Sequence, residues 1–136
     1  MLISQSPSRG KQKITFCYNC PMGLPLSPSV NKNGFVFTSG QVYLKDGKLL
    51  EGTIEEQTYQ VMKNLKDILE KEGVGFEDVV KTTIYIIDMA NYEKINEVYG
   101  SYFSEPYPAR ETVCVKELPL RARLEISMIA TKNEVL

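Results

Sequence analysis

Along the chain, apolar residues bunch, alternate or recur at helical spacing, and each pattern predicts an element. Residues 13–18 predict a first strand, and 19–33, dense in Pro, Ser, Asn and Gly, predict a long irregular segment. Residues 34–42, rich in aromatic and β-branched side chains, predict a strand interrupted at Ser39-Gly40. A glycine there marks either a bend in the sheet or a place where another group approaches the backbone closely. Asp46-Gly47 predicts a hairpin turn. Thr53 followed by Glu56 resembles a capping box, after which Ile54, Val61, Met62, Leu65, Ile68 and Leu69 recur at helical spacing as far as Gly73. Residues 79–87 form a nearly continuous β-prone run, the pattern of a central strand covered on both sides. Asn91 is placed to cap a second helix that buries Tyr92, Ile95, Val98, Tyr99, Tyr102 and Phe103 and is stopped by Pro106. Asn96 lies off that stripe and by itself reads as a surface residue.

Residues 108–126 hold two short runs that each alternate with period two. Val113 and Val115 share one parity and Arg110, Thr112, Cys114 and Lys116 the other; Leu124, Ile126 and Met128 oppose Arg123, Glu125 and Ser127. If the runs pair as an antiparallel hairpin, burying the apolar sets together puts Arg110, Thr112, Cys114, Glu125 and Ser127 on one face. The predicted order, strands with two helices between them, is an α+β pattern in which both helices cover one face of a mixed sheet. Val36, Ile84 and Ile86 leave more apolar sheet than two helices cover, so self-association through the bare face is expected.

Composition narrows the partners. One domain spanning 1–136 is expected, with 1–12 as a weakly ordered terminus. No apolar run approaches a membrane span, and the N-terminus lacks the apolar stretch of a secretory signal. Three cysteines, an odd number, point to a reducing compartment, with the cytosol expected. A net charge of −1 gives no drive toward nucleic acid. Histidine is absent, which removes the commonest near-neutral acid-base group and metal ligand. Cys17 and Cys20 have no second pair to complete a metal site and read as packing or incidental thiols. Cys114 has no histidine to activate it as a nucleophile.

Arg110 offers a planar fork matched to a carboxylate, and Glu125 can hold or activate a water. Together they suit hydrolysis of a small anionic substrate; an ordinary cross-strand ion pair is the plainer reading.

The segments carrying these residues resemble the RidA/YjgF family, also called endoribonuclease L-PSP. Pro108-Ala109-Arg110, Leu124-Glu125-Ile126, Thr38 to Gln41, 79–89 and 95–99 are similar to family segments in the same order, and the resemblance covers about 12–132. It implies a chorismate-mutase-like α+β fold, a homotrimer with clefts between subunits, and cofactor-free, metal-free hydrolysis of 2-imino or 2-enamino acids to 2-oxo acids and ammonia. Such an enzyme is a hydrolase acting on C=N bonds that limits metabolite damage. The resemblance implies that Arg110 clamps the substrate carboxylate and Glu125 positions water. It places Ser39, Gly40, Asn96, Thr112, Leu26 and Tyr107 at the substrate, Thr112 through its backbone. Leu26 stands where the family carries a tyrosine, so that hydroxyl is missing, and Thr112 stands where a cysteine is usual. The family's other name implies an endoribonuclease that inhibits translation, and Leu26 is compatible with a trimer that binds small carboxylates without turnover.

Overall fold

The computed structural model describes residues 23–132. The expectations for 1–12, for a strand over 13–18 and for Cys17 and Cys20 lie outside the described residues. The first described strands, β1 (Ser29–Lys32) and β2 (Phe35–Thr38), form a hairpin. Asn33 and Gly34 close it with φ of 53° and 81°, the left-handed pair that a two-residue hairpin turn requires. β1 therefore replaces the end of the irregular segment expected over 19–33. A second, minimal hairpin, β3 (Leu44–Lys45) and β4 (Lys48–Leu49), turns at Asp46-Gly47 as expected.

Helix α1 (Ile54–Lys71) starts at the capping box: Thr53 Oγ1 accepts the Glu56 N–H at 3.1 Å, and Glu56 Oε1 accepts the Thr53 N–H at 3.3 Å. Then come β5 (Val79–Ile86), α2 (Tyr92–Gly100), β6 (Ala109–Cys114) and β7 (Leu124–Thr131). Asn91 makes no capping hydrogen bond; instead Asp88 Oδ1 accepts the Ala90 N–H at 2.9 Å and starts a short 3-10 turn that leads into α2. The helix closes at Gly100, before Pro106, with Tyr102 and Phe103 packing from the turn beyond it.

The main sheet runs β1-β2-β7-β5-β6, with β5 and β6 parallel and the other pairs antiparallel. This overturns the hairpin expected over 108–126, because β5 lies between β6 and β7. The chemistry of the connection explains it: α2 is a crossover between β5 and β6, and a helical crossover returns the chain parallel.

Register assigns the faces. Thr82 pairs with both Arg110 and Met128, and Ile84 with both Thr112 and Ile126. Paired residues project to the same side, so Thr82, Ile84, Ile86, Arg110, Thr112, Cys114, Leu124, Ile126 and Met128 share the face under the helices. There Val61, Met62, Leu65 and Leu69 of α1 bury against Val36, Ile84, Ile126 and Met128, each such side chain contributing roughly 1.5–3 kcal/mol. Val36, Ile84 and Ile86, expected on the bare face, are core residues with 0–1% exposure.

The uncovered face carries Phe35, Phe37, Tyr85, Val113, Glu125, Ser127 and Ile129 instead. Phe35 and Phe37 are each 44% exposed, with ring centroids 6.2 Å apart. β5 is thus central but covered on one face, its burial alternating where a doubly covered strand was expected. Among the described residues no helix is long and apolar enough to cross a membrane.

Candidate functional site

Arg110 lies on the edge strand β6 with α2 above it. Its Nη1 donates to Asn96 Oδ1 at 2.6 Å and its Nη2 to the Tyr92 hydroxyl at 3.2 Å. The Tyr99 and Tyr92 rings lie 5.2 Å and 5.9 Å from the guanidinium carbon, within cation-π range. The Tyr99 hydroxyl donates to Thr82 Oγ1 at 2.9 Å. Burial pushes that phenol up from its ordinary value, against the opposing Thr82 hydrogen bond and Arg110 charge, so it stays protonated and keeps donating.

Every partner of Arg110 is neutral. Among the described residues no ion pair involves Arg110, so no carboxylate there offsets its charge. Two residues further on, Thr112 Oγ1 is buried with no hydrogen-bond partner among the described residues. Buried hydroxyls are ordinarily satisfied, so this one is an exception, shared with Glu72 Oε1.

Glu125 is on the other face. The register pairs it with Tyr85, which also pairs with Val113, so the expected meeting of Arg110 and Glu125 on one surface of the same chain does not occur. β6 and β7 are not neighbours; with β5 between them in the observed register, Arg110 falls with Ile126, and Glu125 projects opposite. Ser127, also expected beside Arg110, goes with Glu125.

What Glu125 does meet is Gly40. Five residues from Phe37 to Gln41 oppose four from Ile129 to Ile126, so the strand bulges at Ser39-Gly40. Thr38 Oγ1 accepts the Met128 N–H at 2.9 Å across that gap. The Glu125 carboxylate lies over the glycine, where an added Cβ would come within 2.5 Å of Oε2. Both meanings of the glycine therefore hold: it bends the strand and admits a close neighbour. Half-buried and without an ion pair or hydrogen bond among the described residues, Glu125 has its carboxyl pushed above the ordinary carboxylate value by desolvation. Ser39 donates its hydroxyl to the Ser27 carbonyl at 2.5 Å, which fastens the bulge to the preceding loop.

The fold thus collects Arg110, Asn96 and Thr112 into one cluster and Glu125 and Gly40, with Ser39 beside them, into another. Leu26 and Tyr107 are open to solvent, 48% and 58% exposed. A cavity of about 410 Å³ at the C-terminal end of α1, lined by Lys66, Gly73 and Asp78 among others, contains none of these residues. Sequence reasoning missed Tyr92 and Tyr99 as neighbours of the arginine, taking them as core. The signal was present: 92, 96 and 99 follow helical i, i+4, i+7 spacing and share one stripe, so Asn96 is not off it.

An α+β sheet with both helices on one face, an uncompensated arginine at its edge and a desolvated glutamate on its reverse defines the class of protein. The sequence model described as Endoribonuclease L-PSP matches residues 21–132. Reactive Intermediate Deaminase A, chloroplastic, of Arabidopsis thaliana is 41% identical over 132 residues, covering 95% of this chain and 71% of that protein. A RutC family protein of Aquifex aeolicus is 47% identical over 116 residues, covering 82% and 91%. The crystal structure of E. coli TdcF superposes with a TM-score of 0.81 at 32% identity, covering 89% of this chain and 99% of TdcF. The chain belongs to the endoribonuclease L-PSP family, the family of the RidA, YjgF and RutC proteins.

Proposed function

We propose that the protein is a deaminase that hydrolyses reactive 2-imino and 2-enamino acids to 2-oxo acids and ammonia without a cofactor, as a homotrimer whose sites are completed between chains. The observation that carries this reading is the guanidinium of Arg110, held by neutral groups and left with its charge uncompensated. Such a group binds an anion, and the planar fork prefers a carboxylate. The E. coli TdcF structure holds bound serine, itself an α-carboxylate.

Because the two clusters lie on opposite faces of one sheet, a working cleft takes Arg110 from one chain and Glu125 from its neighbour. The exposed Phe35, Phe37 and Val113 on the bare face support that association. In the cleft Arg110 fixes the substrate carboxylate, with Asn96 holding the arginine and the Thr112 backbone alongside. Glu125, whose desolvated carboxyl has a raised proton affinity, takes a proton from water as the oxygen adds to the imine carbon and passes it to the nitrogen; it then relays the hydroxyl proton of the resulting carbinolamine to the same nitrogen, which leaves as ammonia. Water adds across C=N, the C–N bond breaks, and a C=O bond remains. For an already electrophilic imine, fixing the two reactants supplies most of the needed acceleration. Ser39 and Gly40 line the Glu125 side. Leu26 and Tyr107 border the cleft, and Leu26 sets the substrate range with an apolar wall in place of a hydroxyl.

The test is ammonia release from an imino acid generated in situ by an amino-acid oxidase. Wild-type protein accelerates release over buffer, and Arg110→Ala abolishes the acceleration. No acceleration across several imino acids, or ribonuclease activity in its place that persists in stringently repurified Arg110→Ala, overturns the reading.

A further inference from the structure

We propose that Tyr92 is a positioning residue for the carboxylate-receiving arginine, acting through its hydroxyl. The inference rests on the reading that Arg110 binds the substrate carboxylate, and it names a residue which that reading does not need. A long arginine side chain on an edge strand has many rotamers, and freezing them on binding weakens affinity unless they are fixed beforehand. Here the fixing is already built in from three directions. Asn96 Oδ1 accepts from Nη1 at 2.6 Å, the Tyr92 hydroxyl accepts from Nη2 at 3.2 Å, and the Tyr99 ring lies 5.2 Å from the guanidinium carbon.

The third support is anchored in turn. Tyr99 donates to Thr82 Oγ1, and Thr82 is the residue that pairs with Arg110 across the β5–β6 ladder. A closed circuit therefore runs from Arg110 to Tyr99 to Thr82 and back through the strand register. Thr82 is fully buried, so that side of the circuit is rigid. Tyr92 is the outer member, half-buried at the first turn of α2. Its ring packs against the core, a task phenylalanine performs equally; the hydroxyl serves only the arginine.

With one N–H on each terminal nitrogen used, Nε–H and the second N–H of each terminal nitrogen remain for a ligand. Neutral acceptors orient these donors without drawing down the charge, as a carboxylate partner would. The Tyr92 proton has no acceptor among the described residues and is free for a water that bridges to the bound anion.

The experiment measures 2-oxobutanoate binding by calorimetry, and turnover kinetics, for wild type, Tyr92→Phe, Tyr99→Phe and Arg110→Ala. Tyr92→Phe is expected to raise Kd and KM by about five- to tenfold with kcat nearly unchanged, as for the loss of one ordinary hydrogen bond that acts on ground and transition states alike. Its melting temperature stays at the wild-type value, whereas a merely structural tyrosine would lower the melting temperature and leave Kd alone. Tyr99→Phe, which frees the ring from Thr82, is expected to raise Kd in the same direction. If Arg110→Ala abolishes binding while Tyr92→Phe binds within twofold of wild type, the positioning role is overturned and the carboxylate reading stands. If Arg110→Ala binds as wild type does, both fall together.

Discussion

Replacing Asn96 by aspartate tests the uncompensated arginine with almost no change of shape. The side-chain oxygen stays 2.6 Å from Arg110 Nη1 but acquires a charge, so the guanidinium gains the carboxylate partner it now lacks. A substrate carboxylate on the opposite edge of the fork would then lie about 6–7 Å from the new one. At an effective dielectric of about 20 the two repel by roughly 2.5 kcal/mol. Solvent at this half-buried site screens part of that, which leaves a loss of roughly 1.5–2.5 kcal/mol, a 10- to 60-fold weaker Kd. Stability moves the other way, because the new ion pair adds up to about 1 kcal/mol at a partly exposed site. Calorimetry with 2-oxo acids and thermal melts on the same preparations read both effects, and the opposed signs separate electrostatics from damage to the fold. Added salt should narrow the gap in Kd. An Asn96→Asp protein that binds within threefold of wild type would refute the assignment of Arg110 as the carboxylate receptor.

Two further substitutions probe the glutamate cluster. Desolvation raises the carboxyl of Glu125, so its ionisation opposes folding once pH passes the unfolded value; the protonated form is favoured below it. Glu125→Gln should therefore melt higher than wild type at neutral pH, the two curves should converge under acid conditions where the glutamate is protonated, and deamination should be lost. Equal melting temperatures at all pH values would remove the desolvation argument. Gly40→Ala brings a methyl to 2.5 Å from Glu125 Oε2, and the flexible carboxylate must move aside. Turnover should fall about tenfold or more, as for a small misplacement of a reacting group, with little change in melting temperature; unchanged kcat/KM would separate Gly40 from the chemistry.

How far the linear sequence carried the fold depended on whether an element's pattern or its neighbours decided its placement. β7 was legible because only one of its faces is covered, and Leu124, Ile126 and Met128 alternate accordingly. Helix α1 was legible from the Thr53 and Glu56 box and the stripe from Ile54 to Leu69. β6 was not, because an edge strand takes its orientation from its ladder partner. The order strand, helix, strand from β5 through α2 was the available clue to parallel pairing, and following parity alone put Val113 inside and Arg110 with Glu125. Asn33-Gly34 carried a hairpin signal as strong as Asp46-Gly47, yet it was absorbed into a long irregular segment.

Of the candidate site, Arg110 and Glu125 stood out by their chemistry, with an ordinary ion pair as the plainer reading until the family resemblance was added, and Ser39-Gly40 stood out as an interruption in a strand. That Asn96 holds Arg110, and that Glu125 faces away from it, could come only from tertiary register. The bare apolar face was anticipated, but through Val36, Ile84 and Ile86, which are core, when Phe35, Phe37 and Val113 form it.

The division of the site between two faces has a direct consequence for mixed oligomers. Arg110→Ala and Glu125→Gln proteins, each expected to be inactive alone, are unfolded together, refolded as a one-to-one mixture and assayed for imine hydrolysis. Some clefts then pair an intact Arg110 from one chain with an intact Glu125 from the other, and random mixing makes about one quarter of them complete. Activity recovered to about that fraction of wild type is the predicted result. A mixture as inactive as its parents, with mixed oligomers verified by mass, would contradict a cleft built from two chains.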